Sequence, residues 1–506
     1  MPTNEKSTYG QILKSSAIIG GASVLNIGFG IVRTKVMAVL LGPAGLGVMG
    51  LYISISDLTR SIAVMGMNDS GVRQIAAAIS TGDTLRIARM VTVLRRMAFL
   101  LGALGALALV VFSKPISRMT FGNAEHAGAV ALLSLCVLFA TISAGQGALV
   151  QGARRVGDLA RMSVLGAFYG TVFSIPIIYF MGQRGLAPFL VCVAGMGIVT
   201  SWWYARKIKV EPVQIGMREI AVEASELLKL GFVFMASGFM TVGAAYLIRM
   251  ILLRKIGVEA AGFYQSAWVM GGIYVGFILQ AMGADFYPRL TAAANDNAEC
   301  NRLANEQAEV GLLLAGPGLL ATLSFAPLVI QFFYSAKFGP AADILRWICL
   351  GMMTRVVTWP MGFIVVAKGA RKLFFLTELL ANGAHASLAV VFISLFGFVG
   401  AGMAFLGMCI FHSVAVSLVV RRLSGFRWSV ANQRIGFVLG GLIAATFLAE
   451  YCLPQIGVAL LGMVATVLVG FWSVKTLCSL ALAERFPPFA QKLLVLCRLI
   501  PAKADV

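Results

Sequence analysis

Six ionisable side chains stand inside apolar runs of this sequence: Arg33, Lys35, Asp57, Arg60, Arg249 and Arg355. A charge at the centre of a helix in hydrocarbon costs about 2.5–3.5 kcal/mol on insertion scales, so such residues usually face a partner or a polar cavity. Five of the six are cations and one is an acid. Together they would attract an anion, and the donor fork of a guanidinium matches the oxygens of phosphate. With a rise of about 1.5 Å per residue, Arg60 and Arg355 fall near the middle of their runs. Arg33, Lys35 and Arg249 fall nearer run ends, where long cations also snorkel to head groups. The expected anion-binding set is therefore Arg33, Lys35, Arg60, Arg249 and Arg355. Asp57 precedes Arg60 by three positions, a spacing that allows a pair on one helical face. Asp69 with Arg73 and Asp285 with Arg289 are four apart at run ends, and with Asp57 they form the expected ion-pair or gate set. His385, His412 and Glu450 also lie in apolar runs and are expected to be buried, neutral and locally hydrogen-bonded.

The elements that carry these residues span a membrane. Of 506 residues, 59% are hydrophobic and 12% charged, and mean hydropathy is +0.88. Soluble proteins carry about 25% charged residues. Apolar runs of spanning length occur at 15–40, 47–68, 97–113, 128–149, 163–181, 187–204, 231–252, 263–284, 310–333, 345–366, 374–396, 400–420, 436–453 and 457–480. These make an all-α polytopic membrane protein of about 14 helices, an even number that puts both termini on one side. Most of the 41 Lys and Arg residues fall on that side. The positive-inside rule then makes it cytoplasmic, in a multi-pass membrane protein. The net charge of +20 is accordingly a topology signal and an attraction to anionic membrane lipids, not a nucleic-acid footprint.

Nothing in the sequence is built for catalysis. No stretch is long enough for a soluble catalytic domain, and no metal-ligand spacing, phosphate-binding glycine loop or nucleophile elbow occurs. The chain is thus expected to be no enzyme and to need no metal or cofactor. Its eight cysteines are scattered and read as small buried hydrophobes. The first run is too long for a cleavable signal, and 487–500 reads as an amphipathic helix on the membrane surface.

The sequence also repeats internally. Residues 31–78 align with 247–294, so that Gly42 and Gly47 in LGPAGLG match Gly257 and Gly262 in IGVEAAG. Asp69 and Arg73 fall on Asp285 and Arg289 with one residue of slippage. Both halves start in the same orientation, which makes the repeat parallel and predicts two six-helix lobes flanking a central cationic cavity that rocks between access states. The expected divisions are 1–210, 211–430, and 431–506 for two further helices and the tail. These last helices are nearly free of charge and could line a groove for a lipid tail.

LGPAGLG at 41–47, FGN at 121–123, FYPRL at 286–290, SAKFGPAADILRW at 335–347 and VAKGARKLFFLTE at 366–378 resemble the bacterial O-antigen translocases, the lipid-linked polysaccharide flippases. That family belongs to the multidrug/oligosaccharidyl-lipid/polysaccharide exporter superfamily. The resemblance covers roughly residues 10–422. It implies a V-shaped two-lobe fold and movement of undecaprenyl-pyrophosphate-linked oligosaccharide from the inner to the outer leaflet. It further implies cations at Lys35 and Arg355, membrane lipids and a lipid-linked oligosaccharide as partners, and polymerase and chain-length machinery acting on the product. O-antigen members usually have 12 spans. Fourteen are usual in the lipid II flippases of the same superfamily, so a lipid II flippase is the alternative. A drug/cation antiporter is disfavoured by the scarcity of buried acids.

Overall fold

The computed structural model describes residues 3–81, 83–208, 213 and 216–479, and no strand occurs among them. The surface helix expected at 487–500 lies outside the described residues. Contacts divide the chain into two compact units, residues 1–265 with 333–337, and residues 266–332 with 338–506. The division differs from the repeat boundary at 210 because the start of the second half packs into the first unit.

The first unit contains α1 (Thr3–Val64), α2 (Met67–Thr81), α3 (Thr84–Val111), α4 (Ser113–Phe121), α5 (Ala127–Leu132), α6 (Ser134–Gly152), α7 (Val156–Met181), α8 (Leu186–Ala205) and α9 (Met217–Lys255). It also takes in the start of α10 (Val258–Ala292). α1 is broken at Gly42, whose φ of 64° and ψ of −167° suit only glycine, and Pro43 restarts the helix where its missing N–H is not needed. Helix faces approach closely wherever small residues meet. A Cβ on Gly105 would stand 2.6 Å from that of Ala63, and one on Gly145 2.8 Å from that of Ala98.

The second unit holds the rest of α10, then α11 (Asn297–Ser324), α12 (Ala326–Phe333), α13 (Ala341–Ala367), α14 (Arg371–Phe396), α15 (Gly400–Ser424), α16 (Val430–Cys452) and α17 (Gln455–Leu477). α13 and α15 interlock, with Gly351 under the Phe405 ring and Gly402 under the Cβ of Trp347. α16 and α17 pack on α11. Gly316 admits Leu439 there, and Asn432 Nδ2 donates to the Asn305 carbonyl at 2.8 Å.

Nine helical stretches among the described residues are long and apolar enough to cross a membrane, or ten if the 83° bend between α11 and α12 lies within one span. Three of them run 45, 50 and 54 residues. A hydrocarbon core about 30 Å thick needs only about 20. Each of these stretches therefore holds two of the runs read as separate helices in the sequence, with a break between them at Gly42, at Gly182–Gly185 and at Gly397–Val399.

Candidate functional site

The glycines matched by the repeat set the local frame of the first unit. A Cβ on Gly47 would collide with the Val258 carbonyl oxygen, and one on Gly262 with that of Pro43. Val258 follows Gly257 as Pro43 follows Gly42, so the repeat offset exchanges these two contacts. The second segment of α1 is thereby held against the α9–α10 corner, with no side chain between the backbones. Gly50, one turn further along, accommodates Gln265, whose Oε1 accepts from Arg249 Nε at 2.8 Å.

This corner brings three of the expected residues together. Arg249 is buried at 6% exposure, donates from Nη1 to the Ala245 carbonyl at 2.9 Å, and lies 5.6 Å from the centre of the Tyr264 ring. Its guanidinium is fixed by its own helix and by α10. Asp57 lies within electrostatic reach of both Arg249 and Arg60. Its Oδ1 accepts from Arg60 Nη2 at 3.3 Å, and the two side chains keep 42% and 47% exposure. One cation is therefore anchored and the other accessible, with a single carboxylate between them. Arg60 stays accessible beside Asp57, so an incoming anion can compete with the carboxylate for its guanidinium.

Arg33 and Lys35 have other neighbours. Arg33 stands 5.9 Å from the ring centre of buried Phe189 on α8. Lys35 lines a groove with Val36, Val39 and Leu40 of α1 and with Ile175, Pro176 and Tyr179 of α7. The side chains of Asp69 and Asp285 lie outside those described, while Arg73 and Arg289 are exposed.

In the second unit Arg355 is exposed on α13, and its charge acts on Glu378 of α14 and His412 of α15. Glu378 Oε1 and His412 Nε2 are 3.7 Å apart. No acid lies within a turn of Arg355 on α13, and the nearby carboxylate comes from α14, which the sequence reading passed over. The signal was present in the RKLFFLTE stretch, where Glu378 sits inside an apolar run.

Glu450 finds its partner on another helix rather than on its own. Its Oε1 pairs with Arg346 Nη2 at 2.5 Å, and Arg346 also holds Asp343 through Nη1 at 2.8 Å. Arg346 escaped notice because it sits at the very edge of its run. His385 is buried beside Phe405, and its Nε2 has no hydrogen-bond partner among the described atoms. Among the described residues no group of three or more His, Cys, Asp or Glu is arranged to hold a metal ion.

Residues 36–343 match the family described as polysaccharide biosynthesis protein. The chain is 21% identical over 374 residues to the lipid III flippase of Escherichia coli K12, covering 72% of this chain and 88% of that one. The lipid III flippase of Shigella flexneri matches equally well, at 21% identity over the same length. Among solved structures, the lipid II flippase MurJ in an inward closed conformation superposes with a TM-score of 0.71 at 13% identity, covering 93% of this chain and 100% of that one. An inward-facing MATE multidrug resistance transporter of the MOP superfamily superposes with a TM-score of 0.66 at 15% identity, covering 80% and 98%. The fold is therefore that of the MOP superfamily, and the relatives are flippases and transporters rather than enzymes.

Proposed function

The chain belongs to the polysaccharide biosynthesis protein family, and on that footing we propose that it flips a polyprenyl-pyrophosphate-linked oligosaccharide from the cytoplasmic to the periplasmic leaflet of a bacterial inner membrane. The substrate class is an O-antigen, exopolysaccharide or related repeat unit, moved by alternating access with both termini cytoplasmic. The product becomes available to polymerase and chain-length machinery on the far side.

The observation that carries this reading is the Asp57–Arg60–Arg249 group. Its net charge is one positive, in a segment that is otherwise apolar, and its accessible member is a guanidinium. A pyrophosphate diester carries two negative charges that a guanidinium fork fits, and fixed Arg249 compensates Asp57 while Arg60 is engaged. Arg355, with Glu378 and His412 beside it, supplies a second cation in the other unit. Arg33 and Lys35 are further candidate cations for the anion. The pairs Asp69–Arg73 and Asp285–Arg289 gate the cytoplasmic end.

One observation favours a second reading, a lipid II flippase. The likeness to lipid II flippase MurJ covers 93% of the chain, and this chain has two helices, α16 and α17, beyond its repeat. A drug/cation antiporter is less apt, because Asp57, Glu378 and Glu450 each have a cationic side chain close by. Purified protein in proteoliposomes, given fluorescent undecaprenyl-pyrophosphate oligosaccharide or fluorescent lipid II, separates the readings. Faster flipping of the oligosaccharide lipid supports the first, and preference for lipid II the second. Movement of neither overturns both.

A further inference from the structure

An apolar groove of about 550 Å³ lies between the second segment of α1 and the elbow formed by α3 and α4. Ala63 and Leu109 form a buried floor, whereas Ile62, Leu104 and Met119 on its walls are at least half exposed. The groove therefore opens sideways to the surroundings of the unit. Its size falls within the roughly 300–1,000 Å³ of ligand pockets. Thr59 is the one hydroxyl-bearing residue of the lining, and its Oγ1 is spent on the Ile55 carbonyl at 2.9 Å. The lining offers an occupant no side-chain donor, so it suits an apolar chain rather than a polar head.

Two further features tie this groove to the cationic corner. The residue after Thr59 is Arg60, so the chemistry for an anionic head occupies another face of the same helical turn. The wall made by α4 is also fixed from α9, the helix that bears Arg249. Arg254 donates from Nη2 to the carbonyls of Arg118 and Met119, both at 2.6 Å, and from Nε to that of Thr120 at 3.1 Å. Those carbonyls end α4, where a cation also complements the helix dipole. Tyr246 OH and Thr120 Oγ1 add a contact at 2.6 Å.

We propose that this groove seats the polyisoprenoid tail of the transported lipid, with α4 held by Arg254 in register with the helix that binds the head. The proposal rests on the flippase reading and adds a tail site to it. The terminal pair α16–α17, for which the sequence suggested a groove for a lipid tail, packs on α11. An ordinary phospholipid would fill the groove whatever Arg60 holds. A polyprenyl pyrophosphate would fill it in a manner that depends on Arg60.

The test uses the full chain in nanodiscs and three probes with a diazirine in the chain: polyprenyl pyrophosphate, the corresponding polyprenol, and phosphatidylglycerol. The expected result is labelling of the α3–α4 peptides by the pyrophosphate probe, at least five-fold above the other two and reduced to their level by Arg60→Ala. Equal labelling by phosphatidylglycerol, or labelling by the pyrophosphate probe only outside α1, α3 and α4, overturns the proposal. In proteoliposomes, Ala108→Phe should slow flipping of a long-chain substrate at least ten-fold while sparing a short-chain analogue. Leu104→Trp at the rim serves as a second filling variant if the first does not fold. Equal loss for both chain lengths in a folded variant also overturns the proposal. A wild-type protein that moves no pyrophosphate-linked lipid overturns the flippase reading itself, so the two failures are distinct.

Discussion

Gly47 lies against the carbonyl oxygen of Val258 with no space for a Cβ, and the repeat carries that contact onto Gly262 and Pro43. Filling such a contact forces backbones apart, and overpacking of this kind costs about 1–3 kcal/mol. Gly47→Leu and Gly262→Leu should each lower the thermal midpoint of the detergent-solubilised protein by several degrees. Gly276, also within a helix but with nothing within 4 Å of its would-be Cβ, is the control. Gly276→Ala should raise stability by about 0.5–1 kcal/mol through helix propensity. A Gly47→Leu protein that melts with the wild type contradicts the close approach.

The pair between Arg346 and Glu450 ties α16 to α13. Arg346 is 8% exposed and Glu450 19%, so removing the acid leaves a buried cation that keeps only Asp343. Breaking a buried pair costs about 3–5 kcal/mol, and the remaining exposure of Glu450 argues for the lower end. Glu450→Gln should therefore melt well below the wild type, whereas Arg346→Met with Glu450→Leu should recover most of the loss. If the double variant is no more stable than the single one, the pair is not what holds the helix.

His126, in the turn between α4 and α5, stacks on Phe121 at 3.9 Å, and its Nδ1 lies 2.8 Å from Tyr52 OH. Burial pushes its imidazole below the usual 6.5, against a weaker upward pull from Glu125. The folded state thus prefers the neutral ring. The unfolded chain takes up the proton first as pH falls, so this contribution is intact above pH 6.5 and is lost as pH drops through the lowered folded value. Thermal midpoints should fall between pH 7.5 and 5 in the wild type, and less steeply in His126→Gln. An unchanged slope in that variant would assign the pH dependence elsewhere.

What the sequence revealed follows from the range of each interaction. Asp57 and Arg60 were readable as a pair because three residues of helix bring them together. Gly42, Gly47, Gly257 and Gly262 were readable because the repeat preserves their spacing. Arg355 with Glu378, and Arg346 with Glu450, were not readable as partners, since each joins helices whose relative rotation no single-helix pattern records. Arg254 was opaque for another reason: its partners are backbone carbonyls, which leave no mark in the sequence. The breaks inside the three long stretches were readable as gaps between apolar runs, because each falls at a glycine with positive φ, at Gly42, Gly182 and Gly397.

The account's central claim is that guanidinium groups inside the membrane-spanning segments bind a pyrophosphate during lipid flipping. The most direct measurement is the initial flipping rate of fluorescent undecaprenyl-pyrophosphate oligosaccharide in proteoliposomes containing wild type, Arg60→Ala, Arg60→Lys or Arg355→Ala at matched protein content. Loss of a charge-assisted contact worth about 1.5–3 kcal/mol corresponds to roughly a ten- to hundred-fold drop. The account predicts that loss for both alanine variants, with partial activity in Arg60→Lys, which keeps the charge but not the fork. Wild-type rates in folded Arg60→Ala and Arg355→Ala proteins would contradict it.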